Sequence, residues 1–131
     1  MQNNNCYNII FSSSAFIYGN QKSPIIEASI SNNLDISLYF KTKLYIENIL
    51  NDLYNFNNKW NIIILRYFNP VGYDTRNGTC IKDFIHIDDL VNLHIISLKY
   101  IINNKNIFKI YNVETGHDYI IKKLLIILTI Y

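Results

Sequence analysis

Short apolar runs alternate with longer amphipathic stretches along the chain. The runs at Asn8–Ser12 and Ile62–Leu65 have a continuous apolar centre, which is typical of strands buried on both faces of a parallel sheet. Ile107–Val113 predicts a third apolar strand. Between them, apolar residues recur at helical spacing over about Ser37–Phe56 and Asp88–Ile102. Strands that alternate with helices in this order predict an α/β layer fold.

The remaining segments give weaker patterns. Ile81–Ile85 predicts a further short strand, and the Pro and Gly of Asn69–Gly72 predict a turn. A last helix is expected from about Asp118, because the apolar stretch Tyr119–Tyr131 has about 13 residues, whereas about 20 are needed to span a bilayer. Met1–Tyr7 is polar, so we expect no signal peptide there.

Composition narrows the function class. The 131 residues are 50% hydrophobic and 17% charged with a net charge of +2, which fits one small domain and excludes a disordered chain. The charge is too small to predict nucleic-acid or membrane binding. Two cysteines, Cys6 and Cys80, and three histidines lack metal-ligand spacing, so we expect no metal site and a reducing, cytoplasmic location.

Candidate chemistry lies where the predicted strands end, which is where open α/β sheets bind ligands. Three serines follow the first strand, and Arg66 and Tyr67 follow the second. Tyr39 and Lys43 stand at i and i+4, on one face of the intervening helix. A cation one turn away favours phenolate and makes a tyrosine usable as an acid or base, although by itself this spacing fits an ordinary surface pair equally well.

In combination these motifs resemble the extended short-chain dehydrogenase/reductases and, among them, the UDP-glucose 4-epimerases. The motifs are Ser12-Ser13-Ser14 through Gly19, Tyr39-x-x-x-Lys43, Arg66-Tyr67-Phe68-Asn69-Pro70-Val71-Gly72, Gly78 to Leu90 and Tyr111 to Gly116. The resemblance covers about residues 8–116 and treats 1–131 as one incomplete domain. It implies a partial Rossmann-like parallel sheet, the carboxyl-terminal half of the nucleotide-binding fold plus a remnant of the substrate lobe.

The resemblance also implies roles for individual residues. The expected reaction is NAD-dependent interconversion of UDP-glucose and UDP-galactose through a 4-keto sugar, with a possible homodimer through the Tyr39 helix. By motif, the catalytic residues are Ser14, Tyr39 and Lys43; the NAD-binding residues are Ser12, Ser13, Ser14, Tyr39, Lys43, Tyr67 and Phe68; and the residues for the UDP-hexose are Ser14, Asn69 and Lys82. Lys82 stands where the family has an arginine, which keeps the charge but not the bidentate geometry.

The chain also departs from this family. It contains no G-x-G-x-x-G turn for the NAD pyrophosphate, and little sequence separates Gly72 from Gly78, where the family has a long insertion. We therefore expect little epimerase activity from these residues alone. A non-catalytic, degenerate fragment or interaction module of the same family is the alternative. A nucleotide-sugar dehydratase or decarboxylase is disfavoured because Ala15 and Phe16 can donate no proton.

Overall fold

The structure is a computed structural model that describes residues 1–19, 25–29, 38–71, 81–114 and 118–120, and only the backbone of 69–71, 81–84 and 118–120. Eight longer elements are found in these ranges: β1 Asn8–Ser14, α1 Leu38–Phe56, β2 Asn61–Tyr67, β3 Asn69–Val71, β4 Ile81–His86, α2 Ile87–Asn103, β5 Phe108–Val113 and β6 Asp118–Ile120. Two short 3-10 helices, Gln2–Asn4 and Ala15–Tyr18, complete the list.

The three apolar runs form one parallel sheet in the order β1-β2-β5. Its register places Ser12 beside Leu65 and Leu65 beside Tyr111, so the three strands end at the same edge. Every residue of the central strand from Asn61 to Arg66 is buried, as expected for a strand covered on both faces. The predicted α/β fold with a parallel sheet is confirmed.

Each helix covers one face of this sheet, because successive side chains of a strand point to opposite sides. On the α1 face, Leu50 packs with Trp60, Ile62 and Ile64. On the α2 face, a second cluster consists of Ile63, Leu65, Ile85, Leu90, Ile101, Ile107 and Val113. The same alternation divides the polar residues at the strand ends between the two faces.

A second small sheet has the order β3-β4-β6. The turn predicted at Asn69–Gly72 is wrong for its first three residues, since Asn69–Val71 is a strand parallel to β4. Proline is tolerated there because β3 is an edge strand and because the residue before a proline favours extended backbone. Gly72 lies outside the described residues.

The helix predicted from Asp118 is also wrong at its start. Asp118–Ile120 is a strand that pairs antiparallel with Ile81–Asp83 of β4. Pairing with a distant strand outweighs the local helical pattern, and aromatic and β-branched residues such as Tyr119 and Ile120 suit a strand. Residues 121–131 lie outside the described part of the chain.

Helix α2 begins at Ile87, one residue before the predicted start. The His86 Nδ1 accepts a hydrogen bond of 3.2 Å from the Asp88 backbone N–H, and Asp88 and Asp89 lie in the first turn, where the helix dipole favours negative charge. Helix α1 begins at Leu38, and the neighbouring Ser37 lies outside the described residues. None of the described helices is both long enough and apolar enough to span a bilayer.

Candidate functional site

The predicted polar residues meet at the carboxyl-terminal edge of the parallel sheet. Ser14 at the end of β1 is the register partner of Tyr67 at the end of β2, and Tyr67 is the partner of Val113 on β5. The backbone N–H of Phe68 donates to Val113 O at 3.2 Å, which continues the pairing one residue beyond the strand. Ser14, Tyr67 and Val113 therefore lie side by side at the edge, and Phe68 follows directly after β2.

Tyr39 and Lys43 lie beside this edge in the first turns of α1. The Lys43 Nζ is 5.7 Å from the centre of the Tyr39 ring and 5.0 Å from the centre of the Phe11 ring. It donates a hydrogen bond of 2.8 Å to the backbone oxygen of Ser12. The i to i+4 pair is thus formed, with the cation held beside the phenol by the strand itself.

Phe40, the residue next to Tyr39, fixes the orientation of the first turn of α1. Phe40 is buried against Ile17 and Tyr18 of the 3-10 helix that follows β1. Because adjacent residues of a helix point in different directions, anchoring Phe40 turns Tyr39 outward, and Tyr39 is 51% exposed. The phenol is therefore accessible to a ligand above the strand ends.

Ser14 caps that 3-10 helix. Its Oγ accepts a hydrogen bond of 3.3 Å from the Phe16 backbone N–H, and the residue is buried. A serine hydroxyl has one hydrogen to donate and further acceptor capacity. The cap uses acceptor capacity only, so the Ser14 hydrogen remains available for a proton acceptor.

Ser13 points to the α1 face and is buried there. Its hydroxyl donates to the Oε1 atom of Glu47, which itself is buried on α1. Arg66 of β2 completes the group, with Nη2 at 2.6 Å from Glu47 Oε2 and Nε at 3.1 Å from Oε1. Ser13 is fully buried in these contacts, and its predicted role in binding NAD stays a prediction.

Arg66 also ties a distant loop to the sheet edge. Its Nη1 donates to the Tyr18 hydroxyl at 2.9 Å and to the backbone oxygen of Glu27 at 2.7 Å. The Tyr18 hydroxyl in turn donates to Asn112 Oδ1 at 2.5 Å, and the Asn112 backbone N–H donates to Glu27 Oε1 at 2.9 Å. The Arg66 guanidinium therefore contacts α1, the 3-10 helix after β1 and the segment at residues 25–29 directly, and it is linked to β5 through Tyr18.

Burial and pairing oppose each other in this group. Burial by itself would lower the pKa of Arg66, but its hydrogen bonds to Glu47 and Tyr18 outweigh burial and raise that pKa above its ordinary value. Burial raises the pKa of Tyr18, although the Arg66 hydrogen bond acts in the opposite direction. Arg66 and Tyr18 thus keep their protons across the physiological range.

Sequence reasoning missed this buried group. The available signal was Arg66 at the end of an apolar strand and Glu47 within the apolar stripe of α1. A charged residue in such a position is rarely buried unless it has a partner. On that basis, an ion pair between Arg66 and Glu47 could have been predicted from the sequence.

Ser12 points to the α2 face, opposite to Ser13. Its Oγ lies 2.9 Å from His94 Nε2, and His94 Nδ1 lies 2.8 Å from the backbone oxygen of Leu90. Burial and then the nearby Tyr39 raise the pKa of Tyr67, whereas a hydrogen bond with the Ser12 side chain lowers it. These residues are half-buried, in contrast to the enclosed charges on the α1 face.

Two predicted substrate residues are described by their backbone only. Asn69 lies on β3 opposite Phe84 of β4, and Lys82 lies on β4 opposite Tyr119 of β6. Both belong to the second sheet rather than to the edge that carries Tyr39. Their substrate contacts, like the other assigned roles, stay predictions. Among the described residues, no group of three or more His, Cys, Asp or Glu side chains is placed to hold a metal ion.

The donor set at the edge fits the ribose and nicotinamide end of a dinucleotide. Lys43 gives one of its three N–H donors to Ser12 O, which leaves donors for the hydroxyls of a sugar. The adjacent Tyr39 phenol is accessible, and the carboxyl ends of parallel strands are where such folds bind nucleotides. The pyrophosphate end requires a glycine-rich turn, which this sequence lacks.

Comparisons of this chain with a family model and with known proteins agree on one family. The model of the NAD dependent epimerase/dehydratase family matches residues 1–79, more than half of the chain. UDP-glucose 4-epimerase 2 of Arabidopsis thaliana is 32% identical over 86% of this chain and 43% of its own length. UDP-glucose 4-epimerase of Dictyostelium discoideum is 34% identical over 85% of this chain and 43% of its own length.

Solved structures agree with the sequence comparison. The UDP-glucose 4-epimerase of Bifidobacterium longum, in complex with NAD+ and UDP, is 30% identical with a TM-score of 0.79 and covers 95% of this chain and 48% of its own. The enzyme from Stenotrophomonas maltophila, with bound NAD and formylated UDP-arabinopyranose, is 26% identical with a TM-score of 0.84 and covers 99% and 50%. The chain spans about half the length of the relatives it matches. By the match over residues 1–79 and the likeness in sequence and fold to these enzymes, it belongs to the NAD dependent epimerase/dehydratase family.

Proposed function

We propose that this chain carries the acid/base residues of an NAD-dependent UDP-hexose 4-epimerase that interconverts UDP-glucose and UDP-galactose. The observation that supports the proposal most directly is the Lys43 ammonium, held by Ser12 O at 2.8 Å and 5.7 Å from the ring centre of the accessible Tyr39. Similarity to UDP-glucose 4-epimerases at 32% and 34% identity supports the choice of substrate.

The residues have separate tasks in this proposal. Tyr39 takes the proton of the 4-hydroxyl and later returns it, since a phenol beside a fixed cation can act as both base and acid. Ser14 holds the same hydroxyl and passes its proton, because its N-cap contact with Phe16 uses acceptor capacity only. Lys43 favours the phenolate form of Tyr39 and binds ribose hydroxyls.

The cofactor is NAD, as in the family to which the chain belongs. When bound, NAD supplies reversible hydride acceptance at the sugar carbon that changes configuration. The chain's own contribution is to place Lys43, Tyr67 and Phe68 around its nicotinamide and ribose end. Residues beyond those in this sequence must supply the pyrophosphate site, so full activity requires them.

The experiment starts from the native protein. An antibody against a peptide of this chain is used to determine the mass of the protein in its source cells and to isolate it. The isolated protein is then assayed for conversion of UDP-galactose to UDP-glucose with added NAD. Conversion supports the proposal. A native protein of 15.5 kDa that converts no nucleotide sugar would overturn it and favour the non-catalytic alternative, and a dehydrated product would favour a dehydratase.

Matched variants assign the roles. Tyr39→Phe should lower kcat by about 100-fold or more, the usual contribution of a positioned acid or base. Tyr100→Phe is its control, because Tyr100 is an exposed tyrosine of α2 that is assigned to neither the candidate site nor the α1 surface. Lys43→Met should lower kcat, and Lys41→Met should leave it unchanged. Equal losses in the members of either pair would contradict the assignment.

We propose in addition that the α1 surface forms a homodimer contact in the active protein. Its outward side includes the exposed Tyr45, Ile49 and Phe56, and exposed apolar surface of this kind is typical of interfaces. Analytical ultracentrifugation of the isolated protein tests the dimer. A monomer at micromolar concentration would contradict it.

A further inference from the structure

Glu47 is a buried carboxylate on the helix that carries Tyr39 and Lys43. It is only 4% exposed, and it follows Lys43 by four residues and Tyr39 by eight. Residues at this spacing lie above one another along one side of a helix. Tyr39 and Lys43 have tasks in the proposed reaction, whereas Glu47 has none, so its burial on this side of α1 calls for another explanation.

The Glu47 carboxylate joins α1 to both β1 and β2. Ser13 and Arg66 are register partners on these strands, and both donate to it. The Ser13 hydroxyl donates to Oε1, while Arg66 donates from Nε to Oε1 at 3.1 Å and from Nη2 to Oε2 at 2.6 Å. One group on the helix is therefore fixed to two neighbouring strands, one residue before they end at Ser14 and Tyr67.

Lys43 makes a second connection, one turn nearer the start of α1. Its Nζ donates to the Ser12 backbone oxygen at 2.8 Å, and Ser12 is adjacent to Ser13 on β1. Two hydrogen-bonded points one turn apart resist both sliding and rotation of the helix on the sheet, because hydrogen bonds require short distances and favourable angles. Apolar contacts are non-directional and permit small displacements more readily. Tyr39 lies one turn beyond Lys43, so its position depends on both points.

The two connections differ in what else their groups must do. Lys43 is half-buried and has a further task in the proposed reaction, which is to bind ribose hydroxyls. Glu47 and Arg66 are 4% and 1% exposed, so neither can leave the other without placing an unpaired charge in a medium of low dielectric constant. The Glu47 connection is therefore the one that stays formed whether or not a ligand is bound.

We propose that Glu47 is a positioning residue that fixes the register of α1 against the ends of β1 and β2. In this role it sets the position of Tyr39 relative to Ser14, the two residues proposed to handle the proton of the 4-hydroxyl. Glu47 itself touches no reacting atom. The inference rests on the proposed function for its consequence in catalysis, but the register of the helix is measurable without it.

The variants that test this role separate it from stability. Replacing Glu47 alone would leave Arg66 unpaired, so the two are replaced together. Arg66→Met with Glu47→Leu removes the ion pair and the acceptor for Ser13. Arg66→Met with Glu47→Gln removes the same charges but keeps an amide oxygen that accepts from the Ser13 hydroxyl. The two double variants are matched in charge, and only the second keeps α1 connected to β1 at Ser13.

The first measurement follows the register of α1 by NMR of lysine isotope-labelled at Cε, and Lys43→Met assigns the Lys43 signal. The Lys43 Nζ is 5.0 Å from the centre of the Phe11 ring on β1, so the ring current of Phe11 contributes to this signal. A displaced helix should move the signal of the folded protein, whereas lower stability without displacement should not. We expect the signal to move in the Glu47→Leu double variant and to stay near its original position in the Glu47→Gln double variant. Asp52→Asn, which alters an exposed carboxylate of the same helix, should leave it unchanged.

The second measurement is epimerase activity in the same variants. The Glu47→Leu double variant should lower kcat about 10- to 100-fold with little change in KM, because a displacement of about 1 Å at the site costs up to about 100-fold. The Glu47→Gln double variant should recover most of the loss, and Asp52→Asn should cause none. Urea denaturation checks that each variant is folded under the assay conditions. Equal kcat values in the two double variants would overturn the role of Glu47.

Register and conversion together separate this inference from the proposed function. Conversion by the native protein, with an unmoved Lys43 signal in the Glu47→Leu double variant, would overturn the role of Glu47 alone. Absence of conversion by the native protein, with the expected movement of that signal, would overturn the proposed function and leave the fixed register of α1 in place. If the Glu47→Leu double variant does not fold, Ser13→Ala decides, because it removes the Ser13 hydroxyl and leaves the Glu47–Arg66 pair intact. An unmoved Lys43 signal in Ser13→Ala would then overturn the inference.

Discussion

Ser12 and Ser13 are adjacent on β1, and their side chains make different contacts on opposite faces of the sheet. Ser13 donates to Glu47 on the α1 face, where Glu47 and Arg66 form an ion pair that is 4% and 1% exposed. The Ser12 side chain contacts His94 on the α2 face, where both residues are only half-buried. The difference follows from the twofold alternation of side chains along a strand.

The comparison shows two ways of fixing polar groups at one sheet edge. Enclosed charges must keep every partner, because losing one leaves a charge in a medium of low dielectric constant. That makes the α1 face a rigid support for β1, β2, β5 and the segment at 25–29. Half-exposed groups tolerate a change of donor and acceptor because water is near. That suits the α2 face, which lies next to the tyrosines.

Among the substitutions that test this comparison, those in the Glu47–Arg66 ion pair should change the free energy of unfolding most. Arg66→Met should lower the free energy of unfolding by about 3–5 kcal/mol, since it leaves the Glu47 carboxylate buried without its cation. Urea denaturation of the 131-residue chain measures the change. Replacing both partners, as in Arg66→Met with Glu47→Leu, should recover much of the loss.

A matched control comes from an exposed cation. Lys59→Met removes a charge whose Nζ lies 5.8 Å from the centre of the Tyr7 ring and should change stability by less than about 0.5 kcal/mol. If Arg66→Met and Lys59→Met were equally stable, the ion pair would not support the fold. A double variant less stable than Arg66→Met would contradict the explanation by an unpaired charge.

The same substitution on both faces sharpens the comparison. Ser13→Ala should cost about 1–3 kcal/mol, because the buried Glu47 loses a donor that water cannot replace. Ser12→Ala should cost about 0.5–1.5 kcal/mol, because its partner His94 is only half-buried. Urea denaturation of the two variants decides the order, and equal costs would remove the distinction between the faces.

How far the sequence predicts this arrangement differs between the fold and the site. Apolar runs predicted β1, β2 and β5. Only β2 is buried along nearly its whole length, as a strand covered on both faces is, whereas β1 is mostly half-buried and exposed residues alternate along β5. The Tyr39–Lys43 contact was predictable, since it is local to one helix. Contacts between residues far apart in the sequence were not predictable. Hydrophobic periodicity gives no reason to expect a contact between His94 and Ser12 or between Arg66 and Tyr18. The strands β3 and β6 were missed for the same reason, as both are made by pairing with β4.

Alkaline pH tests a tyrosine on each face. Burial raises the pKa of Tyr18 on the α1 face and of Tyr67 on the α2 face above the ordinary 10.0. As the pH rises above 10, unfolded chains release these protons while folded chains retain them, so the stability should fall with pH until the folded-state pKa is passed. Tyr18→Phe and Tyr67→Phe should each flatten this fall in urea denaturation at several pH values. If stability fell with pH as steeply in both variants as in the unsubstituted chain, the raised pKa values of Tyr18 and Tyr67 would not explain the fall.

The smallest expected effect is at the outer end of the charged face. The hydrogen bond from the Asn112 backbone N–H to the Glu27 carboxylate lowers the Glu27 pKa below 4.5, and the Arg66 charge adds to this. When the pH falls below 4.5, the unfolded chain binds a proton that the folded chain does not, so this stabilisation should be lost as the pH falls through the folded-state pKa. Glu27→Gln keeps an acceptor oxygen but cannot titrate, and it should leave stability at neutral pH nearly unchanged while reducing the acid slope. Asp52→Asn makes the same charge change at an exposed position of α1. An acid slope reduced equally by both variants would assign the effect to net charge, because the Glu27 carboxylate accepts a hydrogen bond from Asn112 of β5 whereas Asp52 is exposed on α1.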